Sequence, residues 1–212
     1  MTAQVKLAET FVSIQGESSY AGLTCFFIRL AGCNLSCRYC DTPAAREPGR
    51  ATSVEELADE AGRSTASIIE ITGGEPLIQE GAIPLADALQ RRCGRTVLIE
   101  TNGSQDLGKI PEGVIAIVDI KTPGSGEVSS FDRANLSRLR PYDEMKFVLQ
   151  DRADYEWARN FLRNESLDRL CRWVFFSPVH GMLEAGRLGA WMIEDGVTAR
   201  LQVQLHKVIG LR

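Results

Sequence analysis

Six short runs of β-branched and apolar residues recur along the chain: Cys25–Leu30, Ser67–Thr72, Thr96–Thr101, Val114–Ile120, Glu144–Leu149 and Arg172–Ser177. Each is nearly continuous in apolar character, the pattern of a strand buried on both faces of a parallel sheet. Helix-like stretches lie between several of them. They are Ser53–Gly62, where Ser53 and Glu56 make a capping box, Gly81–Arg92, Asp154–Arg163 and Glu184–Glu194. Strands alternating with helices imply right-handed βα units and exclude a sandwich. Six units are fewer than the eight of a closed barrel, so the predicted fold is α/β, a partial, open βα barrel of about six parallel strands. No repeat, linker or low-complexity tract divides the chain, and residues 1–212 read as one domain, with 44% hydrophobic content for its core. An open barrel leaves room for a large ligand.

In parallel βα architectures sites assemble in the loops that follow the strands. Here those loops are Gly32–Thr42, Gly73-Gly74-Glu75-Pro76, Asn102-Gly103, Lys121-Thr122-Pro123 and Pro178–Gly181. A formal net charge of −4, with lysines and arginines scattered rather than striped, argues against nucleic acid as a substrate. Met1–Glu9 is charged at Lys6 and Glu9, unlike a secretion signal. No apolar run approaches the roughly 20 residues that span a bilayer. The expectation is a cytoplasmic protein with no membrane partner.

Six cysteines do not form a disulfide framework here, because Cys33, Cys37 and Cys40 crowd together while Cys25, Cys93 and Cys171 lie alone in apolar stretches. Cys33-Asn-Leu-Ser-Cys37-Arg-Tyr-Cys40 offers three thiolates directly after a strand, and thiolates select zinc or iron–sulfur clusters. Structural zinc wants four closed ligands, and the two histidines, His180 and His206, are remote in sequence. Three ligands suit a [4Fe–4S] cubane with one iron left open. A trio of buried thiols and an incomplete zinc site remain as alternatives.

Cys-x3-Cys-x2-Cys with Tyr39 before the last cysteine resembles the signature of radical S-adenosylmethionine (SAM) enzymes. Thr72-Gly73-Gly74-Glu75-Pro76 resembles that superfamily's second marker, a Gly-Gly-Glu loop that contacts the SAM amino group. The resemblance implies that the open iron binds the amino and carboxylate groups of SAM. One electron then cleaves SAM to a 5′-deoxyadenosyl radical, and the protein holds that radical against a substrate C–H bond. Within the superfamily, several further segments resemble 7-carboxy-7-deazaguanine synthase: Ser13–Ser18, Phe27–Leu30, Cys40-Asp41-Thr42, Glu100–Gly103, Asp119–Pro123 and Gln204–Lys207. That family converts 6-carboxy-5,6,7,8-tetrahydropterin to 7-carboxy-7-deazaguanine and ammonia by radical ring contraction, on the route to queuosine and other 7-deazapurines.

What the resemblance implies can be stated residue by residue. Ile14, Gln15, Gly16, Glu17, Arg29 and Thr72 face the substrate, with Arg212 or the terminal carboxylate as a further contact. A pterin edge alternates donors and acceptors that Gln15 and Glu17 match, and Arg29 suits the substrate carboxylate. On composition alone Arg29 reads equally as a snorkelling surface residue. Tyr39, Cys40, Asp41, Gly74, Glu75, Asp119, Ile120, Lys121, Ser177, Pro178, Val179 and His180 contact SAM, Glu75 by accepting from its ammonium. His180 also fits a simple turn cap. Cys33, Cys37 and Cys40 hold the cluster, and the Thr42 hydroxyl ligates Mg²⁺, which keeps several waters and needs few protein ligands. The alternative for Thr42 is an ordinary turn residue before Pro43, and for Asp41 a cap. The implied partners are a flavodoxin or ferredoxin as electron donor and a second copy in a homodimer. Three other functions stay open: a glycyl-radical-enzyme activase, a non-catalytic iron–sulfur protein and a zinc-stabilised interaction protein.

Overall fold

The computed structural model describes residues 3–211. The chain begins with an antiparallel pair, β1 (Gln4–Ile14) and β2 (Thr24–Leu30), and β3 (Arg50–Ser53) joins the other edge of β1 before running into α1 (Val54–Arg63). There follow β4 (Ile68–Gly73), α2 (Ala82–Cys93), β5 (Thr96–Thr101), β6 (Ile115–Asp119), β7 (Glu144–Leu149) and α3 (Arg152–Glu165). β8 (Trp173–Pro178), α4 (Ala185–Glu194), β9 (Arg200–Leu201) and α5 (Leu205–Val208) complete the described chain. The nine strands form one sheet in the order β3-β1-β2-β4-β5-β6-β7-β8-β9, parallel from β2 to β9 and open at its ends.

All six predicted strands and all four predicted helices are present, each close to its expected bounds. Ser53 caps α1 as its spacing implied, its hydroxyl accepting from the Glu56 N–H at 3.2 Å. Three strands escaped the sequence reading for physical reasons. β1 interleaves Lys6, Glu9 and Thr10 with apolar residues and buries only Val5 and Leu7 fully, so it lacks an apolar run. The short β3 and the two-residue β9 are defined by their neighbours rather than by their own composition.

The main core lies between the convex face of the sheet and the helices. Leu57 and Ala61 of α1, and Leu85 and Leu89 of α2, are wholly buried against Ile69, Ile71 and Ile99. On the far side α3 sets Tyr155 and Leu162 over Phe147 and Phe176, whose rings meet edge to face at 5.6 Å. The concave face carries a smaller cluster of Cys25, Phe27, Ile68 and Leu98, roofed by Phe11 and Tyr20. Because alternate residues share a face, the next inward positions along these strands are Arg29, Glu70 and Glu100, with Thr72 following Glu70. Polar groups therefore lie on an apolar floor, toward the strand C-termini.

The loop between β1 and β2 crosses the open side of the sheet. The Ser19 N–H donates to Glu144 of β7 at 3.0 Å, and Gln202 donates to the Ser18 carbonyl at 3.1 Å. Among the described residues no helix is long and apolar enough to cross a membrane. Truncating the buried Leu85 to Ala removes packing between α2 and the sheet. It should cost about 2–5 kcal/mol, read as a lower urea midpoint at unchanged slope in anaerobic unfolding.

Candidate active site

A cavity of about 290 Å³ opens on the concave face. Its walls include Cys33, Cys37, Tyr39, Cys40, Asp41, Thr42 and Gly74 on one side and Ile14, Gln15, Gly16, Glu17, Arg29 and Thr72 on the other, with Asp119, Lys121, Val179 and His180 between. Most of the residues singled out in the sequence thus meet in one place. Arg212 lies outside the described residues.

The cysteine loop is fastened at both ends. The Gly32 N–H donates to the Ala45 carbonyl at 2.6 Å, and Gly32 accepts from the Glu75 N–H at 2.9 Å. Further along, Ser36 and Arg38 donate their N–H groups to Glu127 and to the Ser125 carbonyl. The Tyr39 hydroxyl donates to the Val148 carbonyl at 2.9 Å, and burial pushes its ionisation up to about 12. All six cysteines are free. Among the described residues no three histidine, cysteine or carboxylate side chains close into a metal-ligand set, so Cys33, Cys37 and Cys40 share a cavity wall rather than a finished cage. Burial raises the Cys37 thiol, partly offset by Lys121, so binding a metal there would release a proton.

The Gly-Gly-Glu loop is a correction to the sequence reading. Glu75 is wholly buried and its side chain does not line the cavity. Its carboxylate accepts from Leu77 N–H at 2.9 Å, Thr101 Oγ1 at 2.8 Å and Asn102 N–H at 2.6 Å, so its acceptors serve the protein and not a ligand ammonium. What reaches the cavity is Gly74. A Cβ there would meet the Gly32 carbonyl oxygen at 2.2 Å and Cys33 Cβ at 2.6 Å, so only glycine lets this loop pass the cysteine loop.

Three more expectations shift. Ile120 is buried in the main core, which leaves only its backbone for a ligand. Ser177 and Pro178 are buried and do not line the cavity, although Ser177 Oγ has no hydrogen-bond partner among the described residues. Asp119 does reach the cavity. Its Oδ2 pairs with Lys121 at 2.9 Å, while Oδ1 is buried without a hydrogen-bond partner among the described residues.

Arg29 lies in the cavity rather than reaching outward. It pairs with Glu9 at 2.9 Å and sits 5.5 Å above the Phe11 ring. Gln15 is committed on both ends of its amide, donating to Glu70 and accepting from the Glu17 N–H at 3.0 Å. Thr42 donates its hydroxyl to Asp41 at 3.1 Å and keeps its lone pairs. Asp41 in turn accepts from Lys207 at 2.6 Å; burial opposes its charge, but Lys207 holds its carboxyl down at about 2. The C-terminal segment closes this side, the Leu205 N–H donating to the Gly16 carbonyl at 2.9 Å. A Cβ on Gly16 would overlap His206 Nδ1 at 1.9 Å.

Among the cavity residues that the sequence reading did not assign to the site are Glu70, Glu100, Lys146, Gln204 and His206. Glu100, Gln204 and His206 lay within segments already singled out. Glu70 and Lys146 carried a plainer signal, a single charge inside an apolar strand that must be buried and therefore partnered.

The radical SAM superfamily model matches residues 27–121. The 7-carboxy-7-deazaguanine synthase of Koribacter versatilis is 42% identical over 97% of this chain and 96% of its own length. That of Chlorobaculum tepidum is 42% identical over 98% and 94%. The chain belongs to the 7-carboxy-7-deazaguanine synthase family of radical SAM enzymes. The crystal structure of QueE from Escherichia coli superposes with a TM-score of 0.77 at 26% identity, covering 96% of this chain and 95% of that one. The open, mostly parallel sheet is thus the fold of this family.

Radical SAM enzymes use a [4Fe–4S] cluster and SAM, and the residues present fit both. Three free thiols on one loop supply a three-ligand set, and Cys25, Cys93 and Cys171 do not line this cavity. Beside them the glycine surface of Gly74 permits close approach, and the unpartnered Asp119 Oδ1 awaits a donor.

Two outcomes test this geometry. Gly74→Ala should lower iron incorporation on anaerobic reconstitution while far-ultraviolet circular dichroism stays unchanged, because the added methyl collides with the cysteine loop. Glu70 is raised well above its usual 4.5 by burial, with Glu100 and Glu17 adding to the rise and Lys146 opposing it. A raised carboxyl gives stability that is full below 4.5 and is lost as pH climbs through the folded value. Glu70→Gln should therefore gain on the parent protein toward neutral pH, with the gap closing below 4.5, in urea unfolding against pH.

Proposed function

We propose that this chain is the lyase that converts 6-carboxy-5,6,7,8-tetrahydropterin to 7-carboxy-7-deazaguanine and ammonia, with Mg²⁺ as a further cofactor. The observation that carries the reading is the pairing, across one cavity, of a three-thiol loop with a wall of Gln15, Glu17, Arg29, Thr72 and Glu100. When bound, the cluster and SAM supply a carbon radical that abstracts one substrate hydrogen. The chain's own residues do the rest. Arg29 presents a guanidinium to the substrate carboxylate, exchanging part of its bond with Glu9 for a charge-assisted pair with the ligand. Glu17 and Glu100 accept from N–H groups of the pterin, and Phe27 and Ile117 contribute apolar surface to the same cavity. Thr42, with its hydroxyl oxygen free to accept a cation beside Asp41, holds Mg²⁺, the substrate and waters completing the shell. The backbone around Tyr39–Asp41, together with Gly74, Asp119, Lys121, Val179 and His180, holds SAM.

An activase, an electron carrier or a zinc protein would leave the buried polar wall opposite the cysteines without a purpose. The reading extends to one radical SAM domain over residues 1–212, a homodimer, a flavodoxin or ferredoxin as donor, and a cytoplasmic location that keeps the thiols reduced.

Reconstituted protein given the carboxy-tetrahydropterin, SAM, Mg²⁺ and a low-potential reductant should release ammonia and form the deazapurine. Uncoupled 5′-deoxyadenosine production with every related pterin would refute the assignment. Thr42→Ala should keep its cluster absorbance yet lose turnover by at least about tenfold and respond less to Mg²⁺. An unchanged magnesium dependence would place the metal elsewhere.

A further inference from the structure

Lys146 stands on β7 with its side chain only 4% exposed, an ammonium taken out of water inside the cavity wall. Such a charge is tolerated only where close partners compensate it. Its Nζ donates to Glu17 from the β1–β2 loop and to Glu100 from β5, and Asp119 Oδ2 of β6 lies 3.6 Å away. Two carboxylates thus accept from the ammonium and a third stands at ion-pair distance, the three coming from separate elements.

The remaining oxygens of the two nearer carboxylates are also held. Glu17 Oε1 accepts from Gln204 at 2.7 Å, and Glu100 Oε2 accepts from Thr72 at 3.0 Å. Nearby cations have other duties: Arg29 pairs with Glu9, Lys121 with Asp119 and Lys207 with Asp41. Glu70, from β4, is a poor carrier of further charge here, because burial raises its carboxyl well above its usual range. Burial also works against ionising Glu100, yet Lys146 outweighs it and holds that carboxyl below its usual value. His206 reaches the same region from the C-terminal segment, where burial disfavours its charged form.

We propose that Lys146 is the positioning residue of the substrate wall: its ammonium clamps Glu17 and Glu100 together so that two carboxylates face one ligand rich in N–H donors. Without it, two like charges share a water-poor wall and either swing apart or take up a proton. A protonated or displaced carboxyl offers a reduced pterin fewer acceptors. Lys146 acts through Glu17 and Glu100 and needs no contact with the reacting atoms. This assignment rests on the substrate reading above, so its test carries one arm that needs no turnover.

That arm is the carboxyl ¹³C titration of Glu100 in the reconstituted enzyme. Lys146→Met should move it to higher pH by about one unit or more, and Lys146→Arg should recover most of the shift. In the kinetic arm, Lys146→Met should leave iron content unchanged. It should raise KM for the carboxy-tetrahydropterin by at least about tenfold and move the acidic limb of kcat/KM upward with the Glu100 titration. Should Lys146→Met fold poorly, Lys146→Met with Glu100→Gln removes the repulsion, and restored folding with KM still raised supports the clamp. An unmoved Glu100 titration in Lys146→Met overturns the proposal, as does a loss of kcat/KM by one factor at all pH values. If the parent enzyme leaves the pterin untouched while the Glu100 titration still moves, the substrate reading fails and the clamp stands.

Discussion

The buried carboxylate of Glu75 is the joint on which the cofactor half of this molecule depends. Its three donors come from its own turn and from the end of β5, and its backbone N–H reaches the Gly32 carbonyl at the start of the cysteine loop. One residue, through its carboxylate and its backbone N–H, therefore ties three neighbouring strand ends to one another. The carboxyl is raised by burial, while hydrogen bonds from Asn102, Leu77 and Thr101 oppose that rise. Buried polar groups are stable when fully satisfied, and a satisfied network gives a unique arrangement. The glycines beside Glu75 are then free to be surface, which is what a bulky ligand next to the cysteines requires.

A second constraint governs the other half. The concave face of an open parallel sheet is narrow, and this chain places Arg29, Glu70, Glu100, Asp119 and Lys146 on it. So many ionisable groups share such a wall only if charge is nearly balanced locally. Arg29 with Glu9, Lys121 with Asp119, and Lys146 with two carboxylates supply most of that balance, and burial at Glu70 works against a further negative charge. An uncompensated charge here would carry a desolvation penalty of several kcal/mol. The slight excess of acceptors that remains suits a ligand presenting N–H groups.

Much of this was legible in the sequence because the informative elements obey local rules. The apolar runs of β2, β4, β5, β6, β7 and β8 are buried on both faces, so hydrophobicity alone marks them, and Ser53 marks the start of α1 through its own hydroxyl. Cys33, Cys37 and Cys40 were visible as chemistry on one loop. β1 was not, because its residues alternate between a buried and a half-wet face and its long pairing with β2 is a non-local choice. Glu75 was misread for a related reason. A Gly-Gly-Glu turn shows that something must approach closely, but whether a carboxylate points into a cavity or behind it is decided by Thr101 and Asn102, 26 and 27 positions away in sequence. Lys146 shows the same limit, since its partners Glu17 and Glu100 lie 129 and 46 positions distant.

The division of labour along the chain follows from how the open sheet is closed. Residues on the cofactor side come from the ends of β2, β4, β6 and β8 and the loops after them, the regular C-terminal positions of a βα fold. The opposite wall draws on the terminal segments: Ile14–Glu17 at and after the end of the antiparallel strand β1, and Gln204 and His206 at the start of α5. These two segments bind each other through the Leu205–Gly16 backbone bond and the Gln204–Glu17 side-chain bond, spanning the gap that six βα units leave unfilled. Gly16 is held to glycine by the His206 ring packed against it. The closure of the barrel and the substrate wall are therefore the same structure. Variation in either terminal segment should change ligand choice before it changes the cluster, because the cysteine loop is anchored on Glu75, Ser125 and Ala45 instead.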